Sequence, residues 1–167
     1  RACRCLPATG CPGSPPLHCP RRIAAQPARR RSHHAGDEKA RYRLPGCKGA
    51  HGFYIDTQTD YTFITGEDNA GYAVFDLSNR KIITSGKVGR GPDVLAFDPE
   101  IHRLYVSSES GTVSVFNIQK GNITKAAEVF FAPWAHTVSV DPKTHQVFFP
   151  LQNIDGQPVL RIMKPDK

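Results

Sequence analysis

The chain has 167 residues, enough for one ordinary domain, with a net charge of +7; 39% of its residues are hydrophobic and 9% aromatic. That apolar content excludes a wholly disordered chain. No run of 18 apolar residues exists, so no transmembrane helix is expected, and the first 30 residues lack the apolar run of a signal peptide.

The charge is unevenly placed. Residues 1–47 carry ten Arg/Lys against two acids, Asp37 and Glu38, whereas residues 48–167 carry twelve basic and thirteen acidic side chains. All five cysteines (Cys3, Cys5, Cys11, Cys19 and Cys47) and seven of the fourteen prolines lie in the first stretch. Its few apolar residues follow neither a helical nor a strand period. Segment 1–44 is therefore expected to be disordered, because it cannot bury enough surface to offset its ordering entropy. An Arg run such as Arg29-Arg30-Arg31 suits nucleic acid through counterion release. The cysteine spacing lacks the paired CxxC knuckles of a structural zinc site. Arg, Pro, Ala, Gly, Cys and His with almost no Lys, Asn, Ile or Phe is also the composition that out-of-frame translation of GC-rich DNA gives. A non-native origin of 1–44 thus stands beside a native linker.

From residue 45 onward short apolar runs recur every 8–12 residues between Gly, Asn, Asp and Pro, the pattern of antiparallel β-structure. In chain order, strands are expected at 52–56, 61–65, 72–77 and more weakly 82–86; then 93–98, 103–107, 112–118 and 126–130; then 136–141, 146–150 and 158–163. The three groups are copies. Asp56, Asp98 and Asp141 end the first strand of each, 42 and then 43 residues apart, and an apolar pair follows seven residues later each time. Pro follows Asp98 and Asp141, so the three aspartates read as turn formers rather than as a catalytic carboxylate set. A period of 40–45 residues with about four strands per copy is the signature of β-propeller blades. The expected fold is all-β, about three four-stranded antiparallel blades near 48–90, 91–133 and 134–167.

Gly91-Pro92-Asp93-Val94-Leu95-Ala96-Phe97-Asp98-Pro99 with Arg103-Leu104-Tyr105-Val106-Ser107 resembles the YVTN-type repeat of YncE-like bacterial β-propellers. That superfamily includes the propellers of haem-type nitrite reductases and quinoprotein amine dehydrogenases. Leu104-Tyr105-Val106-Ser107 stands where the family has Tyr-Val-Thr-Asn, so the last two positions depart. The resemblance spans about 45–165 and implies a fold more strongly than an activity. It also implies export to the periplasm or extracellular space. Three blades do not close a ring, which takes 4–8. The expectation is thus the C-terminal part of a longer, usually seven-bladed protein, or closure by an oligomer. Residues 45–167 alone are expected to be poorly soluble or oligomeric.

Three positions could line the channel rim. His51, Asp93 and His136 each lie five residues before a repeat aspartate. In a closed ring they would converge, and His, Asp and His can bind a small ligand, transfer protons or hold a divalent metal. Polar residues there are equally expected because the channel is wet. Trp134 would sit near the same mouth, although a lone Trp in a β-protein also serves packing. Eleven residues after each aspartate come Glu67, Glu109 and Gln152; Glu67 and Glu109 are further metal candidates, or plain surface. No nucleophile elbow, P-loop, calcium loop or CxxCH haem attachment occurs, so no cofactor is assigned. The leading expectation is a non-catalytic module binding a small ligand or protein at the channel mouth. The alternatives are a metal-dependent hydrolase or lactonase, an oxidoreductase relative, or a DNA-binding propeller. The near-neutral charge of 48–167 argues against the last.

Overall fold

In the computed structural model, residues 38–165 are described. The chain divides into two units, 1–40 and 41–167, and the account below is of the second. Of the segment 1–44 read as disordered, residues 1–37, with Cys3, Cys5, Cys11, Cys19 and the Arg run, lie outside the described residues; 38–44 carry no helix or strand, and there Tyr42 packs on Phe75 with ring centroids 4.7 Å apart.

Among the described residues, eleven strands form three antiparallel sheets. The first has β1 (Ala50–Asp56), β2 (Tyr61–Gly66), β3 (Gly71–Asp76) and β4 (Lys81–Lys87), paired in chain order. The second repeats it with β5 (Pro92–Asp98), β6 (Arg103–Ser108), β7 (Thr112–Gln119) and β8 (Asn122–Phe130). The third has β9 (Ser139–Asp141), β10 (Gln146–Ile154) and β11 (Gln157–Met163), so β11 is an edge strand where β4 and β8 close the other sheets. Up-and-down sheets of this kind, stacked face to face by repeats, are propeller blades.

The repeated aspartate explains each first hairpin. Asp56 accepts hydrogen bonds from the Gln58 N–H at 3.0 Å and the Thr59 hydroxyl, and Asp141 accepts from the Lys143 N–H at 3.0 Å and the Thr144 hydroxyl at 2.8 Å. Asp98 accepts from the Glu100 and Ile101 N–H groups at 3.1 and 3.4 Å. The carboxylate caps the turn that the chain must make, as an Asx turn does. Each turn then ends on a left-handed residue at one repeat position: Asp60, His102 and His145, with φ of 62°, 52° and 59°. Asp and His accept that conformation better than bulky residues do.

Two apolar layers hold the sheets together. Tyr61, Phe63 and Val74 of the first sheet meet Phe97, Leu104, Val106, Phe116 and Ile118 of the second. Ala96, Tyr105 and Val113 of the second meet Val138, Val147, Phe149 and Leu151 around the third. Strand β6 shows the logic. Successive side chains point to opposite faces, so Leu104 and Val106 fill one layer and Tyr105 the other. With both faces covered, Ser114 is buried too, and its hydroxyl donates to Glu128 Oε2 at 2.9 Å. Among the described residues no helix is long and apolar enough to cross a membrane.

Candidate rim site between the blades

His51 and Asp93 are re-aimed by irregularities at one repeat position. Register breaks between Ala50 and Phe53 in β1, and between Pro92 and Leu95 in β5. A bulge leaves a backbone group unpaired in its own ladder and turns the local side chains. In β5 the Val94 N–H, so released, donates to the His136 carbonyl at 3.3 Å, tying the second sheet to the third.

His136 itself is not on a strand. The expected strand 136–141 pairs only over Ser139–Asp141. Pro133 has no N–H, Trp134 takes the left-handed region at φ 58°, and tight bonds run from Ala135 N–H to Ala132 O and from His136 N–H to Trp134 O. That turn carries His136 across to Asp93. Trp134 is 54% exposed beside it.

The three rim positions converge. His136 Nδ1 lies 2.7 Å from Asp93 Oδ2, and His51 Nε2 lies 3.5 Å from Asp93 Oδ1. Glu67 adds a fourth member, its Oε2 lying 2.7 Å from His51 Nδ1. The loop that carries it is a single 3-10 turn, Glu67–Asn69, which the repeat pattern did not reveal. Equivalent backbone bonds place both rim glutamates: Glu67 N–H to Gly49 O at 2.9 Å and Glu109 N–H to Gly91 O at 2.7 Å. The third equivalent, Gln152, carries no charge. The result is a row of alternating carboxylate and imidazole, Glu67–His51–Asp93–His136, running from the first sheet across the second to the turn that leads into the third.

The electrostatics follow from that row. The hydrogen bond and charge of Glu67 raise the His51 pKa above the ordinary 6.5; desolvation opposes them, and Asp93 and Glu109 add smaller upward contributions. In the neutral tautomer with Nδ1–H donating to Asp93, the lone pair of His136 sits on Nε2. With Glu109, whose charge also reaches His51, three carboxylates outnumber the two imidazoles, so the rim carries an excess of negative charge. Such a row can accept a cationic group or pass a proton. Among the described residues, no three His, Cys, Asp or Glu side chains are arranged to hold a metal ion. The reason is visible in the geometry: the rings face carboxylates in series rather than a common point.

A second interblade pair escaped the sequence. His145 Nδ1 lies 2.9 Å from Oδ2 of the fully buried Asp98. Its signal was the left-handed turn position four residues after each repeat aspartate.

No protein-family profile matches the chain, and no curated protein matches it in sequence. Solved structures do match in shape. A Bacteroides fragilis protein provisionally named a 6-phosphogluconolactonase superposes with a TM-score of 0.63 at 13% identity, covering 75% of this chain and 37% of that one. Hydrazine synthase of Kuenenia stuttgartiensis gives 0.55 at 19% identity, over 69% and 32%. The β-propeller domain of Myceliophteria thermophila Cps50 (Swd1) gives 0.51 at 15% identity, over 71% and 44%. The fold is that of a β-propeller. The chain spans about a third of the length of the first two of these structures. At such identities the likeness concerns fold alone, and these propellers include both enzymes and binding modules.

Proposed function

We infer that this chain is a ligand- or protein-binding module of the YVTN-repeat, YncE-like propeller group, acting in the bacterial envelope without catalysing a reaction. The observation that carries the reading is the Glu67–His51–Asp93–His136 row. It is partly exposed, crosses from blade to blade and, with Glu109 beside it, carries more carboxylates than imidazoles, which suits recognition of a cationic group on a small molecule or peptide. The acidic rim also argues against DNA as the ligand.

The test is a thermal-shift titration of the full chain with spermidine, choline and a lysine-containing tripeptide. A ligand at 100 times its Kd stabilises by about 2.7 kcal/mol. The expected result is a saturable rise in Tm with at least one of the three, lost in Asp93→Asn. No rise with any of them, or an equal rise in the variant, refutes the reading.

A hydrolase is the second reading, favoured by one contact: the His136–Asp93 pair at 2.7 Å has the geometry of an oriented general base. Hydrolysis of a sugar lactone that His136→Ala abolishes would move the assignment there.

A further inference from the structure

One repeat position, seven residues before each repeat aspartate, is left-handed in all three copies. It holds Gly49 at φ 60°, Gly91 at φ 63° and Trp134 at φ 58°. Glycine adopts that backbone freely, whereas a bulky side chain there is an outlier. The third copy thus carries the chain's single tryptophan on a strained backbone where its two equivalents are glycine. Strain of this kind collects at ligand clamps and switch regions. Core packing does not account for the residue, because it is 54% exposed.

The two glycines show where a side chain at this position goes. A Cβ added at Gly91 would meet Glu109 Oε2 at 2.9 Å, and one added at Gly49 would meet the Asp68 carboxylate at 2.7 Å. A side chain here therefore heads for the acidic loop at the rim. In the third sheet that loop starts later: β10 runs on to Ile154, past Leu151, whose equivalents Gly66 and Ser108 end β2 and β6. The Trp134 carbonyl accepts from the His136 N–H at 2.8 Å, where the Gly49 and Gly91 carbonyls accept from the rim glutamates. An indole thus stands in the third blade at the position that faces a carboxylate in the other two, on the turn that brings His136 to Asp93.

The carboxylates of the row are already engaged. Asp93 Oδ2 lies 2.7 Å from His136 Nδ1 and its Oδ1 3.5 Å from His51 Nε2, and Glu67 Oε2 lies 2.7 Å from His51 Nδ1. A primary ammonium brings three N–H donors and a tight hydration shell, and must exchange that water for acceptors. A quaternary ammonium has no N–H. It needs negative charge nearby and an aromatic face against its methyl groups. Glu67, Asp93 and Glu109 outnumber His51 and His136 even when both rings are charged, and Trp134 supplies the face. Granted the cation-binding role inferred above, we propose that Trp134 and the Glu67–His51–Asp93–His136 row form a site for a quaternary ammonium group, a trimethylammonium head on a small molecule.

The test compares choline with ethanolamine, its N–H counterpart, and with neohexyl alcohol, its uncharged carbon isostere. The full chain is titrated with each, and the emission of its one tryptophan reads the site directly. The expected result is a saturable change with choline, binding of ethanolamine weaker by about fivefold or more, and no effect of the alcohol; cation–π contacts correspond to about twofold to thirtyfold in affinity. Trp134→Gly installs the residue of the other two blades, which suits the left-handed backbone. Followed by line broadening of the ligand protons in NMR, that variant should lose the preference for choline, and Trp134→Phe, which keeps an aromatic face, should retain most of it. The three ligands act on the unaltered chain, so their comparison stands whether or not a variant folds. Equal binding of ethanolamine or of the alcohol, undiminished preference for choline in Trp134→Gly, or binding of spermidine or the lysine tripeptide but not of choline would overturn the quaternary ammonium site and leave the cation-binding role in place. No saturable binding of any of these cations would overturn both.

Discussion

Replacing Asp98 by Ala tests how far the fold depends on one buried carboxylate. The side chain is completely buried and accepts from the Glu100 N–H at 3.1 Å, the Ile101 N–H at 3.4 Å and His145 Nδ1 at 2.9 Å. A hydrogen bond to a charged group contributes about 1.5–3 kcal/mol, and removing the acceptor strands the donors. The Ile101 bond is near the distance limit and counts for little. His145, with its side chain about a third exposed, recovers some solvation. The expected loss is about 3 kcal/mol, a large part of the 5–15 kcal/mol that holds a domain. Urea unfolding followed by far-UV circular dichroism reads it as a lower midpoint at unchanged slope. Asp98→Asn keeps the shape and one acceptor, and should lose about half as much. A double-mutant cycle with His145→Ala should give a coupling of about 1 kcal/mol. A loss below about 1 kcal/mol for Asp98→Ala, or no coupling, would refute the assignment of this carboxylate as a tie between blades.

Other outcomes follow from the rim and the core. In His51, partnership with Glu67 favours the protonated ring in the folded state. Its stabilising contribution is therefore present below the ordinary pKa of 6.5 and lost as pH rises through the higher folded value. Glu67→Gln should bring the His51 pKa back down in an NMR titration, and an unchanged value would show that the contact does not form. Gly52→Ala places a methyl group against the Asp93 carbonyl, Leu95 and Thr65, backbone included. It should cost about 1–3 kcal/mol by overpacking and weaken the ligand binding proposed for the rim, both readable in one thermal-shift series. Phe116→Ala removes a ring that is 2% exposed and packs edge-on to Tyr72 at 4.9 Å. It should cost about 3–5 kcal/mol by calorimetry, and a value near 1 would mean that the first two sheets close over the gap.

Particular residues show what the sequence could convey. The aspartate spacing located β2, β6 and β10 to within a residue at their starts, because side-chain alternation and Asx turns are local rules. It also brought His51, Asp93 and His136 to one rim, because equal repeat positions become equal spatial positions. What it lacked was the relation between sheets. The Asp98–His145 pair joins residues 47 apart in neighbouring blades, and no one-blade pattern contains it. Glu67 looked like a loop acid until its 3-10 turn set it against His51. The bond from Val94 to His136 depends on a bulge, which adds a residue without changing the hydrophobic period. Strand β9 fell short for a similar reason, since the Pro133–Trp134 turn commits the backbone of 135–136 elsewhere.

The rim row has one further property. Only its Glu67–His51 step lies within a single sheet; the other two steps cross a seam. The gap between Asp93 and each imidazole is therefore a gauge of how closely adjacent blades are spaced, and that spacing is set by Leu104, Val106, Val147 and Phe149 in the layers behind. A methylene gained or lost in those layers would open or shut the row like the jaws of a caliper. Under the binding role proposed for the rim, selectivity can then drift through substitutions that never touch a ligand, with every rim residue unchanged.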